Sequence, residues 1–277
     1  MTPSGTQTST RDHGSSTQRI HRPDDRRRAT GAQIDVSVIV PAYNEAARLP
    51  HRLRAFRDFL ATRPWRPEIL VVDDGSADRT AEVAKAESTP TLKVRVVSLG
   101  VNQGKGAAVR RGVAEANPDA RYIAVVDADF PYAFGAFDVA MARLIDGAEM
   151  VIGARDLAGD RVPIDRGTVR TLAANVYSVL ANRLAVRGIP DTQCGFKWLR
   201  AASARALFEQ VTLTSFAFDV ELLVLAQRWG LRIDRVPVEL THSHGSTVRL
   251  LQHGPRMMWD LLKVNRRLAR GVYDRPR

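Results

Sequence analysis

Two aspartates one residue apart, Asp127 and Asp129, close the run YIAVVDADF at residues 122–130. The apolar stretch Ile123–Val126 reads as a buried strand of a parallel sheet. Residues two apart in extended backbone point to one face. That face lies at the carboxyl end of a central strand, where open α/β sheets keep their ligand crevice. Two such charges repel unless a cation sits beside them. A hard divalent ion, Mg²⁺ or Mn²⁺, accepts few protein carboxylates and leaves positions for phosphate oxygens. The competing reading is a solvated turn after a strand, and a D-x-D alone is too short to decide.

Three further stretches carry polar chemistry at strand ends. Pro41-Ala42-Tyr43-Asn44-Glu45 follows the first strand. Pro41 is expected to break that strand, Asn44 to cap the next helix and Glu45 to favour its first turn. Tyr43 offers an amphipathic ring that could stack on a base. Asp73-Asp74-Gly75-Ser76 follows the second strand. Asp73 and Asp74 suit hydrogen bonds to ribose hydroxyls or a base edge, and Asp78 suits a turn or cap. The loop Gly100-Val101-Asn102-Gln103-Gly104-Lys105 runs into a helix and favours anions, with Lys105 adding a point charge. It is one residue short of a Walker A loop, and no Ser or Thr follows the lysine. A plain loop-to-helix junction explains it equally well.

The elements that must position these residues alternate. Strands are predicted at Val36–Val40, Ile69–Asp73, Val94–Val97 and Tyr122–Val126, with helices at about 45–60, 78–88 and 105–116. That order implies a parallel sheet with right-handed crossovers. Residues 1–33 are polar and basic, with Arg26-Arg27-Arg28 near their end, and are expected to form a disordered tail. The chain has 277 residues, 44% of them hydrophobic, enough for one large core or two modest ones. Net charge is +11, and five of 41 basic residues are lysines. This suits an anionic partner: nucleic acid, phosphorylated substrate or acidic membrane surface. No aromatic-rich basic platform or recognition helix is visible, which argues against nucleic acid. Cys194 is the only cysteine, so no intrachain disulfide can form. No secretory signal and no membrane-spanning stretch is expected.

Taken together, VSVIVPAYNEA (36–46), EILVVDDGSADRT (68–80), GVNQGKGAAVRRG (100–112) and VVDAD (125–129) resemble the family 2 glycosyltransferases of GT-A fold. VIGARD (151–156) and DTQCGFKWLR (191–200) are most similar to the branch that charges polyprenyl or dolichyl phosphate with one sugar. Within it, DTQCGFK and FAFDVELL (216–223) most resemble dolichyl- and polyprenyl-phosphate β-glucosyltransferases. The resemblance spans about residues 36–248. It implies an α/β fold with a mixed, mostly parallel central sheet flanked by helices. It assigns Pro41, Tyr43, Glu45, Asp73, Asp74, Gly104, Lys105, Asp127 and Ala128 to the nucleotide sugar. Asp127 and Asp129 would hold Mg²⁺ or Mn²⁺, and Arg155, Arg166, Arg170 and Lys197 would contact phosphate or acceptor. Mannosyl members often carry a Gln ligand where this chain has Pro131, so water or His244 would fill that position and mannose is disfavoured.

The C-terminal half has the features of an acceptor site. Residues 168–186 show apolar side chains at helical spacing, and 215–229 read as a helix bearing Asp219 and Glu221. Family 2 enzymes often use a carboxylate here as base. A phosphate acceptor is already ionised near neutral pH, so Asp219 is read as an orienting or metal-proximal group. Pairing with Arg228 is the alternative. Arg232–Leu240 reads as a strand, followed by His242 and His244. Residues 249–277, beginning RLLQHGPRMMWDLLKVNRRLAR, read as a basic amphipathic helix suited to an acidic bilayer, with a break or start at Gly254-Pro255. Packing on the domain's own core is the competing reading.

The resulting expectation is an inverting, metal-dependent enzyme that moves a hexose from a nucleotide sugar to polyprenyl phosphate. It would be peripheral on the inner face of the cell membrane, with a membrane-spanning partner also allowed. UDP-glucose is the first donor, then a UDP-N-acetylhexosamine or GDP-mannose. A family 2 transferase acting on a glycan or small-molecule hydroxyl is the alternative.

Overall fold

The structure, a computed structural model, describes residues 35–158, 177, 179–181, 183, 185–241 and 250–275. Residues Gln33–Arg277 form one compact unit. The elements are β1 (Val36–Ala42), α1 (Leu49–Ala61), β2 (Pro67–Asp73), α2 (Thr80–Ala86), β3 (Val94–Ser98), α3 (Lys105–Glu115), β4 (Tyr122–Val126), α4 (Gly135–Ile145) and β5 (Met150–Ala154). A short 3₁₀ turn, Arg155–Leu157, follows; then come β6 (Phe196–Arg200), α5 (Ala201–Gln210), α6 (Phe218–Arg228), β7 (Ile233–Pro237) and α7 (Leu250–Ala269).

The strands form one seven-stranded sheet in the order β3-β2-β1-β4-β6-β5-β7. β6 runs antiparallel to both β4 and β5, and the other pairs are parallel. The expected mixed, mostly parallel α/β sheet is therefore present. All seven residues of β1 and all five of β4 are buried, as strands covered on both faces must be. Ile39 packs on the side of α3, α5 and α6, whereas Val38 and Val40 pack on the side of α1 and α4. This is the alternation that a period of two dictates. Gly112 lets α3 lie close on the sheet, since a Cβ there would meet Ile39 and Val72. On the opposite face Phe56, Phe130, Phe134, Phe137, Phe196 and Trp198 form a linked aromatic cluster.

Four local expectations need correction. β1 continues through Pro41 to Ala42, because its pairing with β4 ends at Ile39 and only β2 lies beside it beyond that point. α1 starts at Leu49 rather than near 45, so Asn44 is not its cap. Asn44 instead has φ +53° in a tight turn, a conformation Asn tolerates better than most residues. The last strand is Ile233–Pro237, shorter than the predicted Arg232–Leu240. α7 runs through Pro255 without stopping, held by Leu261 and Val264, which are buried in the core.

Candidate active site

β4 stops at Val126, and the D-x-D sits on the turn that follows. The Phe130 N–H donates to the Asp127 carbonyl at 2.9 Å, and Phe130 has φ +41°. The extended geometry expected from the spacing is thus replaced by a turn. Its cause is the aromatic core: Phe130 is buried with its ring 4.7 Å from that of Phe56. Asp127 and Asp129 are half-buried, while Ala128 between them is buried.

Asp127 is held from two sides. Its Oδ1 lies 2.6 Å from Lys105 Nζ, and its N–H donates to the Gly195 carbonyl at 3.2 Å. Gly195 leaves room for the Asp127 carboxylate, which a Cβ at that position would overlap and displace. Burial opposes the charge on each partner of the ion pair. Their mutual attraction prevails, raising the Lys105 pKa and lowering that of Asp127, with Lys197 and Arg155 adding to the latter. Lys105 therefore occupies the place where a cation must balance the turn.

The motifs after β1 and β2 are stapled together. Asn44 N–H donates to Ser76 Oγ at 2.9 Å, and Asn44 Oδ1 accepts from Ala77 N–H at 2.9 Å. Glu45 N–H donates to Thr80 Oγ1, and Ala46 N–H to Asp78 Oδ2. Asp78 also accepts from Thr80 N–H, the turn role expected of it. Tyr43 is left 44% exposed at this edge. The Glu45 carboxylate pairs with Arg48 at 2.8 Å. Its pKa is raised, chiefly by burial and in small part by the negative charge of Asp129.

Asp73 and Asp74, read as ligand contacts, are buried and build loops. Asp73 accepts from Ser76 N–H and Ser98 Oγ, each at 3.1 Å. Asp74 accepts from Gln103 N–H at 2.7 Å and Gly104 N–H at 2.9 Å, so it shapes the glycine loop. Burial raises the Asp74 pKa despite these donors. Gly104 has φ +100°, and a Cβ there would overlap the Thr214 carbonyl, which accepts from Gly106 N–H at 2.8 Å. The 212–215 loop thus lies directly on the start of α3 and fixes the backbone of Lys105.

Lys197 and Asp219 differ most from their expected roles. Each side chain is 2% exposed, and they pair at 2.7 Å. Lys197 also donates to the Cys194 carbonyl at 2.6 Å. So placed, Lys197 is an internal counter-ion rather than an open acceptor contact, and Asp219 pairs with it, not with Arg228. Burial has this effect because α6 packs its whole first half into the core. Arg155 forms a two-pronged pair with Asp191, at 2.7 Å through Nε and 2.6 Å through Nη2. Against burial, that pair raises the Arg155 pKa and lowers that of Asp191. Arg166, Arg170 and His244 lie outside the described residues.

Asp191 and Tyr132 are the residues the sequence did not single out. The Tyr132 hydroxyl accepts from Gly195 N–H at 2.9 Å and lies 3.4 Å from Cys194 Sγ. Burial pushes the Cys194 thiol up to about 11, so it is not a nucleophile at neutral pH. Among the described residues, Thr192 Oγ1, Gln193 Nε2, Tyr177 Oη and Asp219 Oδ2 are buried without a hydrogen-bond partner. Buried polar atoms in native proteins are normally satisfied, and two of these lie within the 191–195 segment that braces Asp127. The DTQCG run was the available signal, but no spacing rule links it to a D-x-D 64 residues earlier.

The donor set suits a hard divalent ion. Two carboxylates on one turn supply oxygen ligands, and the rest of the shell must come from phosphate and water, as Mg²⁺ prefers. Among the described residues no group of three His, Cys, Asp or Glu could hold a metal unaided.

Residues 37–208 match the model of glycosyl transferase family 2. Three relatives named dolichyl-phosphate beta-glucosyltransferase span most of the chain. The protein from Drosophila melanogaster is 37% identical, covering 83% of this chain and 74% of its own length. That from Dictyostelium discoideum is 33% identical over 87% and 76%, and that from Homo sapiens 33% identical over 86% and 77%. Among solved structures, mannosyl-3-phosphoglycerate synthase from Rubrobacter xylanophilus superposes with a TM-score of 0.62 at 23% identity, covering 88% of this chain and 77% of that one. Glucosyl-3-phosphoglycerate synthase from Mycobacterium tuberculosis, in complex with Mn²⁺ and UDP-glucose, gives 0.62 at 20%, covering 84% and 79%. The fold is that of the GT-A glycosyltransferases, and the chain belongs to glycosyl transferase family 2. It is a glycosyltransferase, and its sequence is similar to those of the dolichyl-phosphate beta-glucosyltransferases over most of its length.

Proposed function

We propose that this chain transfers glucose from UDP-glucose to a polyprenyl phosphate, with inversion, in a reaction that depends on Mg²⁺ or Mn²⁺. The observation that carries it is the likeness to the three glucosyltransferases, which extends over 83–87% of the chain. It therefore reaches beyond the segment 37–208 matched by the family model. UDP-glucose as donor is supported by the UDP-glucose complex of the M. tuberculosis relative in fold, and the metal by the hard oxygen donors of the turn.

Asp127 and Asp129 would hold the metal against the donor's diphosphate. The metal, when bound, would neutralise charge growing on the leaving nucleoside diphosphate. Lys105, 2.6 Å from Asp127, would turn its ammonium from that carboxylate to a phosphate oxygen as donor arrives. Tyr43 would stack on the base from its exposed position at the cleft edge, with Pro41 and Glu45 shaping that edge. Arg155, fixed by Asp191, would meet the acceptor phosphate. That phosphate is already ionised near neutral pH, so no base is needed. Asp219, paired with Lys197 at 2.7 Å, holds that side chain in place.

Radiolabelled nucleotide sugars incubated with polyprenyl phosphate, then solvent-extracted, test this reading. Lipid-linked label from UDP-glucose is expected. Label from GDP-mannose alone would overturn the donor, and label only in water-soluble glycan would overturn the acceptor. Calorimetric titration should likewise favour UDP over GDP. The chain would act at the inner face of the cell membrane; among the described residues no helix is long and apolar enough to cross one.

A further inference from the structure

We propose that the outer face of α7 is a docking surface for an anionic lipid bilayer, holding the enzyme where a polyprenyl phosphate is presented. The inference rests on the lipid-acceptor reading above and adds a partner surface to it. The helix is two-sided. Leu261 and Val264 are buried in the core, whereas Trp259 is 62% exposed and Leu262 48%. At 100° per residue, Trp259, Leu262 and Arg266 fall on one stripe, flanked by Arg256, Lys263 and Arg270. Lys263, Arg266 and Arg270 follow Trp259 within the next three turns, and all four bases, Arg256 included, are exposed.

Charge complementarity selects the occupant. The only acid of α7, Asp260, is buried, accepting from Ser215 Oγ at 2.7 Å and pairing with Lys263 at 3.2 Å. Between Arg256 and Arg270 the exposed stripe therefore carries bases and large apolar side chains with no acid. A tryptophan and a leucine ringed by arginines match the headgroup region of an acidic membrane. A water-exposed position gives such side chains no comparable environment. The surface is also tied to the active site. Asp260 grips Ser215, and Arg267 pairs with Glu221 at 3.1 Å, which in turn accepts from Thr212 and Leu213 N–H. These are the residues of the loop seated on Gly104 and Gly106, so a bilayer bound at α7 lies on the same rigid support as Lys105.

The test uses the full chain and vesicles of phosphatidylcholine alone or with phosphatidylglycerol. Tryptophan emission should shift to the blue and cosedimentation should rise with the anionic vesicles, and both should weaken in high salt. Two variants, Trp259→Ser/Leu262→Ser and Arg266→Gln/Arg270→Gln, alter exposed side chains only. Each should reduce vesicle partition at least tenfold. Transfer to a long-chain acceptor in vesicles should fall with it, while transfer to a short, water-soluble prenyl phosphate holds. Vesicle binding is read without donor or acceptor, so failure of the transferase reading leaves it separately measurable. Unchanged vesicle partition in both variants overturns the proposal. So does a wild-type dimer in gel filtration that Trp259→Ser/Leu262→Ser dissociates, which would make the face a contact between two copies. Equal loss on both acceptors overturns it too.

Discussion

The pair formed by Lys197 and Asp219 shows why a side chain's burial, not its type, fixes its role. Both are fully sequestered at 2.7 Å, and removing one partner of such a pair costs roughly 3–5 kcal/mol because the other charge is stranded. Asp219→Asn should therefore lower the thermal midpoint sharply, and Lys197→Met added to it should restore most of the loss. If the single variant melts like wild type but is inactive, Asp219 is a catalytic group after all. Asp129→Ala is the opposite case. That side chain is half-buried on the turn, and its loss should leave the thermal midpoint little changed. Transfer should fall by about 10²–10³, the usual scale for one element of charge stabilisation at a leaving group. Excess EDTA should reproduce the loss in wild type, and full activity in either condition would remove the metal from the mechanism.

At the level of elements, the site depends on how the 191–195 segment meets the ends of β4 and β5. Gly195 leaves room for the Asp127 carboxylate, so Gly195→Ala should displace that carboxylate and cut transfer while far-ultraviolet circular dichroism stays unchanged. Arg155 and Asp191 join the 3₁₀ turn after β5 to the same segment. Asp191 has its pKa lowered by Arg155 against the effect of burial. A carboxyl that binds its proton less readily folded than unfolded stabilises the fold above its unfolded value of about 4. That stability is lost as the pH falls through the lowered folded value. Denaturant titrations of wild type between pH 6 and 3 should show this loss, and Asp191→Asn should flatten it. An identical acid slope in the variant would assign the dependence to other carboxylates.

Across the whole molecule, Glu221 is the joint between the C-terminal helix and the site. It is fully buried and accepts from Thr212 N–H, Leu213 N–H, Tyr273 Oη and Arg267. Burial followed by the Glu221 charge raises the Tyr273 pKa. Glu221→Gln keeps the shape and one acceptor oxygen but weakens the charge-assisted bonds, a net loss of about 1.5–3 kcal/mol, the scale of one such bond. At about 2–4 °C per kcal/mol for a domain of this size, calorimetry should find the midpoint lower by roughly 3–10 °C. A shift below 1 °C would show that α7 is held by its apolar face alone.

The sequence by itself determined the alternation of strands and helices, the four strands from Val36 to Val126 and the amphipathic α7. Each of these depends on periodicity within a dozen residues, which local side-chain order records. It also marked the D-x-D and the glycine loop, because strand ends and helix starts need particular residue types. Only the tertiary structure decided that Asp127 and Asp129 ride on a turn. The pull comes from Phe130 packing on Phe56, 74 residues away in sequence and adjacent only once the sheet forms. In the same way Asp74 was spent on the glycine loop, Lys197 and Asp219 on each other, and Gly195 on making room for Asp127. Partners chosen across β6, α6 and the 212–215 loop depend on distances through space, and the order of residues along the chain does not carry those distances.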